Sequence, residues 1–381
     1  MMYLQYVNTN EVVIIGGGLA GLTAAIDMAQ RGKQVLVIEK NRYPHHKVCG
    51  EYVSNEVRPY LQKLGFEVHK LTSVEITTLQ LGTYTGKSTE VKLPLGGFGI
   101  SRYVLDYELY QLAEKSGVEF LFDSVQDIEF ADNRFMLTFS TQGPLEAEVV
   151  IGAFGKRSNM DKKLNRAFIN KKSAWLAVKC HYDNYDFPNN LVSLQTFPGG
   201  YGGLSKTENG QINFCYLAKY KDFKKYGNLK EFQSEVLSMN PILDNFLESG
   251  TPVFKKPLSI AQISFDKKKP VENHMLMCGD TAGLIHPLCG NGMAMAIHSA
   301  KIAAECINKY LEKDFYSRKT MEKEYKKAWT KEFQKRLKIG RILQGLMLHT
   351  NWFDFALSTI AGSKKMLAGV IAGTHGKPIL Q

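Results

Sequence analysis

Three glycines, Gly16, Gly18 and Gly21, stand in a G-x-G-x-x-G spacing, and an acid, Glu39, follows 18 residues after the last of them. This combination suits one chemical task, holding the phosphates and a ribose of a dinucleotide. Gly16 permits a tight turn. Gly18 has no side chain, so a pyrophosphate can approach the backbone. Gly21 lets a helix pack closely on a strand. The N-terminus of that helix offers free N–H groups and the positive end of the helix dipole to phosphate oxygens, and Leu19 and Ala20 in the loop before it are read as cofactor contacts. Glu39 can accept hydrogen bonds from both ribose hydroxyls, and its charge repels a 2′-phosphate, which disfavours NADP at this site. The spacing alone does not separate FAD from NAD.

These residues work only if a strand precedes the glycines and a helix follows them. Val12-Val13-Ile14-Ile15 is a β-branched run, the mark of a buried parallel strand. Residues 22–31 read as a helix, rich in alanine with apolar spacings of three and four, and Gly32 ends it. Gln34-Val35-Leu36-Val37-Ile38 is a second strand that carries Glu39 at its end.

A second constellation lies far downstream. Met275-Leu276-Met277-Cys278 is a short apolar run ending in Gly279-Asp280, followed by Ala282, Gly283, Pro287, Gly290, Asn291 and Gly292 and a helix from about Met293. This resembles the Gly-Asp motif of flavoproteins with the p-hydroxybenzoate hydroxylase fold. The resemblance implies that Asp280 binds a ribityl hydroxyl of FAD and that the loop 287–292 faces the pyrimidine edge of the isoalloxazine. A helix start there stabilises the negative charge of a reduced flavin. Further segments fall in the family's order: Arg102 at the opening of a helix, 120–125 with Val125 beside the adenine, and 149–158 with Gly155. Lys40, Lys47, Cys49 and Gly50 complete the implied cofactor contacts. NADH or NADPH is the implied electron donor. Phe154-Gly155 replaces an Asp-Gly to which donor binding has been assigned in many hydroxylases, so the donor is open.

The loop Lys47-Val48-Cys49-Gly50-Glu51 resembles the geranylgeranyl reductase branch, as does Gly279-Asp280-Thr281-Ala282-Gly283. The aromatic Y-x-W-x-F-P of prenyl-chain reductases is kept only at Phe197-Pro198, and the W-x-W-x-I-P of tryptophan halogenases is absent. The expected reaction is hydroxylation of a hydrophobic aromatic or polyketide-like molecule with reduced flavin and O₂. The alternatives are saturation of C=C bonds in an isoprenoid or lipid, and a flavin-binding protein without catalysis. Three residues are catalytic candidates. His286 is read as a proton donor or as a loop histidine bonded to backbone. Glu51 is read as a general acid or as the cap of a helix beginning near Val53. Cys49 is read with Cys289 as a redox-sensitive thiol pair, or as one of two small residues packing a loop.

The fold expected is α/β: a discontinuous Rossmann-type FAD-binding domain (1–65, 98–165, 265–315), an inserted antiparallel-sheet substrate domain (66–97, 166–264) and a helical C-terminal region (316–381). Strand-like alternation such as Val74-Glu75-Ile76-Thr77-Thr78-Leu79 carries the inserted sheet. Trp175, Leu194, Phe197, Tyr201, Phe214 and Tyr216 are candidates to line the substrate cavity, and about half should face it because strand residues alternate.

The chain has 381 residues and a formal net charge of +11. A basic balance suits nucleic acid, an anionic membrane surface or anionic ligands. With no zinc finger, RNP motif or basic-region helix, nucleic acid is not expected. Residues 318–341 hold ten basic and three acidic residues, with Tyr325, Trp329, Phe333 and Leu337 at a spacing of four. The segment is read as a packed helix with a solvated basic side, or as a face for peripheral membrane contact. None of the six cysteines forms a C-x-x-C pair, so neither a metal site nor a disulfide scaffold is expected, and a cytoplasmic location is. Residues 1–11 do not read as a signal peptide, and no apolar run is long enough to span a bilayer.

Overall fold

The computed structural model describes residues 8–171, 173–313, 315–349, 353 and 364–380, so the reading of residues 1–11 falls largely outside it. The β-branched run forms the centre of a mostly parallel sheet. Asn8–Ile15 pairs in parallel with Val35–Ile38 on one side and Leu145–Gly152 on the other. Glu119–Leu121 and Met275–Met277 extend the two flanks, again in parallel. Val12, Val13 and Ile14 are fully buried. A strand covered on both faces needs no polar alternation, which is why this one reads as a continuous apolar run. Because the five strands are parallel, Ile15, Ile38, Leu121, Gly152 and Met277 all end at one edge of the sheet, and the crevice outside that edge is where such folds bind ligands.

The helices Leu19–Gln30, Arg102–Lys115 and Gly292–Glu312 pack together on this sheet. The first ends at Gly32, whose φ of +79° suits glycine, with Gly32 N donating to Ala29 O and Lys33 N to Met28 O. Ser101 caps the second by accepting from Val104 N.

The other sheet is built from Glu75–Gly82, Ser88–Gly99, Trp175–Asp183, Leu191–Phe197, Gly200–Lys206 and Ile212–Lys219, with short strands at its margins. It is antiparallel except where Leu191–Phe197 runs parallel to Glu75–Gly82. Those two strands are separated by a long stretch of chain that visits the first sheet, so no hairpin dictates their direction. Tyr52–Ser54 also joins this sheet, against Gly97–Gly99, although it lies within a span read as FAD-binding. On one face Leu176, Val178, Phe197, Phe214 and Tyr216 form a separate core with Phe232 and Phe246 from two short helices. The opposite face carries Ala177, Lys179, Leu194, Cys215 and Leu217.

The helix Arg318–Leu348 packs on Gly292–Glu312, with Phe333 against His298, while Tyr325 reaches Met277 O and Trp329 and Leu337 lie against Gly283, all four buried. A further helix, Lys364–Thr374, lies beside Ser88–Gly99. Among the described residues no helix is long and apolar enough to cross a membrane.

Candidate functional site

A single cleft of about 1460 Å³ joins the glycine loop at Gly18, the acid Glu39, Asp280, the loop Pro287–Gly292 and, on the side of the second sheet, Leu194 and Ile371. Ligand pockets commonly hold about 300–1000 Å³. This one therefore has room for a dinucleotide and a second molecule.

The glycines divide the labour as their spacing predicts. Gly16 has φ +108°, and a Cβ there would lie 2.4 Å from Ala153 O at the end of the neighbouring strand. Gly21 does not border the cleft: a Cβ on it would strike Gly16 O, so it serves the close packing of helix on loop. Gly18 is different. The nearest atoms to its missing Cβ are Arg102 Nη2 at 3.7 Å and Lys47 Nζ at 3.9 Å. Space in front of a helix start, faced by two cations, fits a pyrophosphate. Gly50 and Gly155 also border the cleft, and nothing stands within 4 Å of where their side chains would be. Leu19, Ala20, Lys40 and Val125 line it too.

Glu39 Oε2 accepts from Gly17 N at 2.8 Å and Oε1 from Asn41 N at 3.1 Å, which ties the acid to the loop it serves. Tyr43 Oη donates to Gly17 O at 2.5 Å and braces the same loop. Sequence reasoning missed Tyr43, for which no motif speaks. It also missed Asp106, which accepts from Arg102 Nε at 2.6 Å and Nη2 at 2.7 Å and from Lys47 Nζ at 2.7 Å. Burial alone would push the Asp106 carboxyl up, but the Arg102 and Lys47 charges bring it down to about 2. The i,i+4 spacing of Arg102 and Asp106 on a helix was the available signal.

Asp280 sits on the single turn Gly279–Thr281 that follows the strand Met275–Met277. Gly279, at φ +61°, is where two helix starts converge: its absent Cβ would meet Ala20 Cβ at 3.2 Å and Ala296 Cβ at 3.3 Å. Gly279 N donates to Ser299 Oγ at 2.8 Å, and Gly155 N to Thr281 Oγ1 at 2.8 Å. Lys268 Nζ donates to Asp280 O at 2.7 Å, and burial brings its ammonium down to about 8. Pro287, Gly290, Gly292 and Met293 line the cleft beyond this turn. Asn291 does not. It is fully buried, its Nδ2 donating to Glu56 Oε1 at 3.2 Å and its Oδ1 accepting from Arg336 Nη1 at 3.3 Å. The Asn291 side chain thus clamps the loop to the C-terminal helix.

The catalytic candidates separate clearly. His286 lies outside the cleft wall, stacked on Phe265 with ring centroids 4.0 Å apart, and burial brings its imidazole down to about 3. Its side chain takes no backbone hydrogen bond. Glu51 is fully buried in the left-handed region at φ +56°. Its carboxylate pairs with Lys179, contacts His181 Nε2 at 2.7 Å and accepts from Arg102 N at 2.7 Å. Against the pull of burial, the His181 and Lys179 partners hold its carboxyl below the usual range. So Glu51 braces the start of Arg102–Lys115, and its buried partners favour the carboxylate over the acid form. Val53 itself lies in a strand; the helical stretch expected near it begins at Asn55, continues into the helix Arg58–Lys63, and is capped by Ser54 rather than by Glu51. Cys49 borders the cleft. All six cysteines are free; Cys289 Sγ lies 3.1 Å from where a Gly340 side chain would begin, and burial pushes its thiol up to about 12. Cys49 and Cys289 thus border the same cleft, each as a free thiol.

Of the proposed substrate-lining residues, Leu194, Tyr201 and Tyr216 border the cleft. Trp175 turns to Phe265, and Phe197 and Phe214 belong to the separate core, where the Tyr216 ring also packs. Alternation sends Cys215 and Leu217 to the cleft instead. An aliphatic arm of the cleft is made by Leu79, Leu81 and Leu93 of the sheet, which sequence reasoning did not single out, with Leu343 and Leu346 of the long helix and Ile371 near the C-terminus, from the apolar stretch 342–380 expected to close the cavity end. Among the described residues no group of three or more His, Cys, Asp or Glu converges as a metal site.

Comparison with known proteins places these features in context. Residues 11–46 match the family described as FAD binding domain. A menaquinone reductase of Mycobacterium tuberculosis is 22% identical over 321 residues, covering 78% of this chain and 76% of that protein. A digeranylgeranylglycerophospholipid reductase of Methanosarcina acetivorans is 23% identical over 376 residues, covering 93% and 88%. Among solved structures, a geranylgeranyl bacteriochlorophyll reductase-like protein of Thermoplasma acidophilum superposes with a TM-score of 0.79 at 19% identity, covering 98% of this chain and 97% of that one, which shows the shared fold.

Proposed function

We propose that this chain, an FAD-dependent oxidoreductase of the superfamily that holds the geranylgeranyl reductases and the flavin monooxygenases, saturates carbon–carbon double bonds in an isoprenoid or similarly apolar chain. The observation that carries this reading is the aliphatic arm: Leu79, Leu81, Leu93, Leu194, Leu343 and Ile371 share one cleft with Asp280 and the loop Pro287–Gly292. Such a lining suits a branched hydrocarbon, which asks for dispersion and burial rather than for hydrogen-bond partners. The reductases among the relatives support it.

Glu39, Gly18, Lys47, Arg102 and Asp280 are the residues that would hold FAD, with Gly290, Gly292 and Met293 beside its ring. Bound there and reduced by NADH or NADPH, FAD would supply the hydride equivalent that one carbon of the double bond needs. The chain itself must then exclude water, hold the alkene in place and deliver a proton to the other carbon. With Glu51 ionised and His286 outside the cleft wall, we assign that proton to the Cys49 thiol. The rival reading, hydroxylation of an aromatic or polyketide-like molecule by reduced flavin and O₂, uses the same cleft.

Oxygen dependence separates the two. Under anaerobic conditions, enzyme reduced by dithionite is mixed with a prenylated lipid, and the product is examined by mass spectrometry. A gain of two mass units per turnover is expected. Turnover that requires O₂ and adds one oxygen would replace this reading with the hydroxylase. Cys49→Ala should slow saturation on the order of 100-fold while leaving flavin reduction by NAD(P)H unchanged.

A further inference from the structure

We propose that the exposed face of the helix Arg318–Leu348 is a docking surface for an anionic lipid bilayer. This goes beyond the reading of the reaction and stands whether or not that reading holds.

Charge distribution is the first observation. The whole chain carries a net charge of +11, and residues 318–341, with ten basic and three acidic residues, account for +7 of it. Eight of those cations are exposed: Lys319, Lys323, Lys326, Lys327, Lys331, Lys335, Lys338 and Arg341. Among the described residues none of the eight forms an ion pair within the protein. The other two basic residues, Arg318 and Arg336, are buried and engaged with Asn133 and Glu56. The three acids are also engaged with groups off the stripe: Glu322 with His274, Glu324 with Tyr316, and Glu332 with Arg336.

Geometry is the second. At 3.6 residues per turn the eight cations fall within about half the helix circumference and extend about 33 Å along it. The opposite face holds Met321, Tyr325, Trp329, Phe333 and Leu337, all buried. The face is therefore long, about 33 Å from end to end, and its cations can meet a charged plane along that length. Ile342, 63% exposed, continues the row of Lys331, Lys335 and Lys338 and offers an apolar side chain at the same level. Lysine stems can lie along such a surface with their ammonium groups at the phosphates.

Two features favour a bilayer over nucleic acid. The aromatic residues of this helix face inward, so no ring is presented among the cations for base stacking. The same helix also lines the cleft with Leu343, Leu346 and Met347, so a docked helix would set the apolar cleft beside the phase in which apolar molecules dissolve.

The test uses the full-length flavin-loaded protein and vesicle sedimentation. Vesicles of phosphatidylcholine alone are compared with vesicles containing about 30% phosphatidylglycerol, at low salt and at about 0.5 M NaCl, where screening is strong. A variant replaces Lys323, Lys327, Lys331 and Lys335 with Gln. Each cation near an anionic surface is worth about fivefold in affinity, so the variant should bind anionic vesicles at least about 100-fold more weakly. Wild-type protein should sediment with anionic vesicles, much less with neutral ones, and be released by salt. Equal binding to both vesicle types, no binding to either, unchanged binding by the variant, or displacement from vesicles by duplex DNA at equal charge would overturn the proposal. Flavin content and turnover of a detergent-dispersed substrate should be the same in variant and wild type. Those two readouts report on the reaction and not on the surface, so the two failures are distinguishable.

Discussion

Lys47 and Asp106 lie 59 residues apart in the chain, yet their side chains meet at 2.7 Å beneath the space that Gly18 leaves open. The carboxylate also holds Arg102, so one buried acid aims two cations at one place. Asp106→Asn keeps the shape and removes the charge. The variant should lose roughly 2–3 kcal/mol of stability at pH 7, the scale of the distance between about 2 and the ordinary aspartate range. The sign is set by the depressed value: the contribution is fully present above about pH 4 and disappears as pH falls toward 2. Chemical denaturation of wild type and variant from pH 7 to pH 3 should show two curves that converge in acid. Parallel curves would mean that the pair contributes little.

Gly16 and Gly18 should respond oppositely to a side chain. Gly18→Val meets no protein atom at its Cβ closer than 3.7 Å, so the fold should survive while FAD is excluded, giving a colourless protein with wild-type circular dichroism. Gly16→Ala forces a Cβ to 2.4 Å from Ala153 O at φ +108°, so it should lower stability of the fold itself. A yellow Gly18→Val protein at full occupancy would defeat the assignment of that space to the pyrophosphate.

Asp280→Ala removes the acid on the turn where the two helix starts meet. FAD affinity, measured by flavin fluorescence during titration of the apo-protein, should fall by about 1.5–3 kcal/mol, the scale of one hydrogen bond to a charged group. An unchanged affinity would show that Asp280 does not touch the cofactor.

Glu51→Gln leaves the Lys179 ammonium buried opposite a neutral amide. Breaking a buried pair by neutralising one partner costs about 3–5 kcal/mol, and the loss should appear in urea denaturation. Lys179→Met combined with Glu51→Gln should recover part of it. A single variant as stable as wild type would mean that His181 and Arg102 N suffice to hold this position.

The glycine loop, its strand and helix, and the distant Gly279-Asp280 turn were legible because each depends on local rules: β-branched burial, φ values open to glycine, and the free N–H groups of a helix start. Their meeting in one cleft was anticipated from two motifs in order, and Gly279 supplies the physical junction through Ala20 and Ala296. The roles of Glu51, His286 and Asn291 were not legible. A short loop allows a side chain either to enter the cleft or to turn from it, and only the partners decide. For Glu51 those partners are Lys179 and His181, about 130 residues away on the strand Trp175–Asp183.

Sequence alone therefore determined the dinucleotide cradle, the basic helix and the alternation of the second sheet, because spacing and charge act over a few residues. Tertiary structure decided which face of that sheet meets the cleft, which of Phe197, Leu194 and Phe214 reach it, and that residues from both ends of the chain close an aliphatic arm. Those outcomes depend on long-range pairing, above all the parallel register of Leu191–Phe197 on Glu75–Gly82, which no local preference encodes.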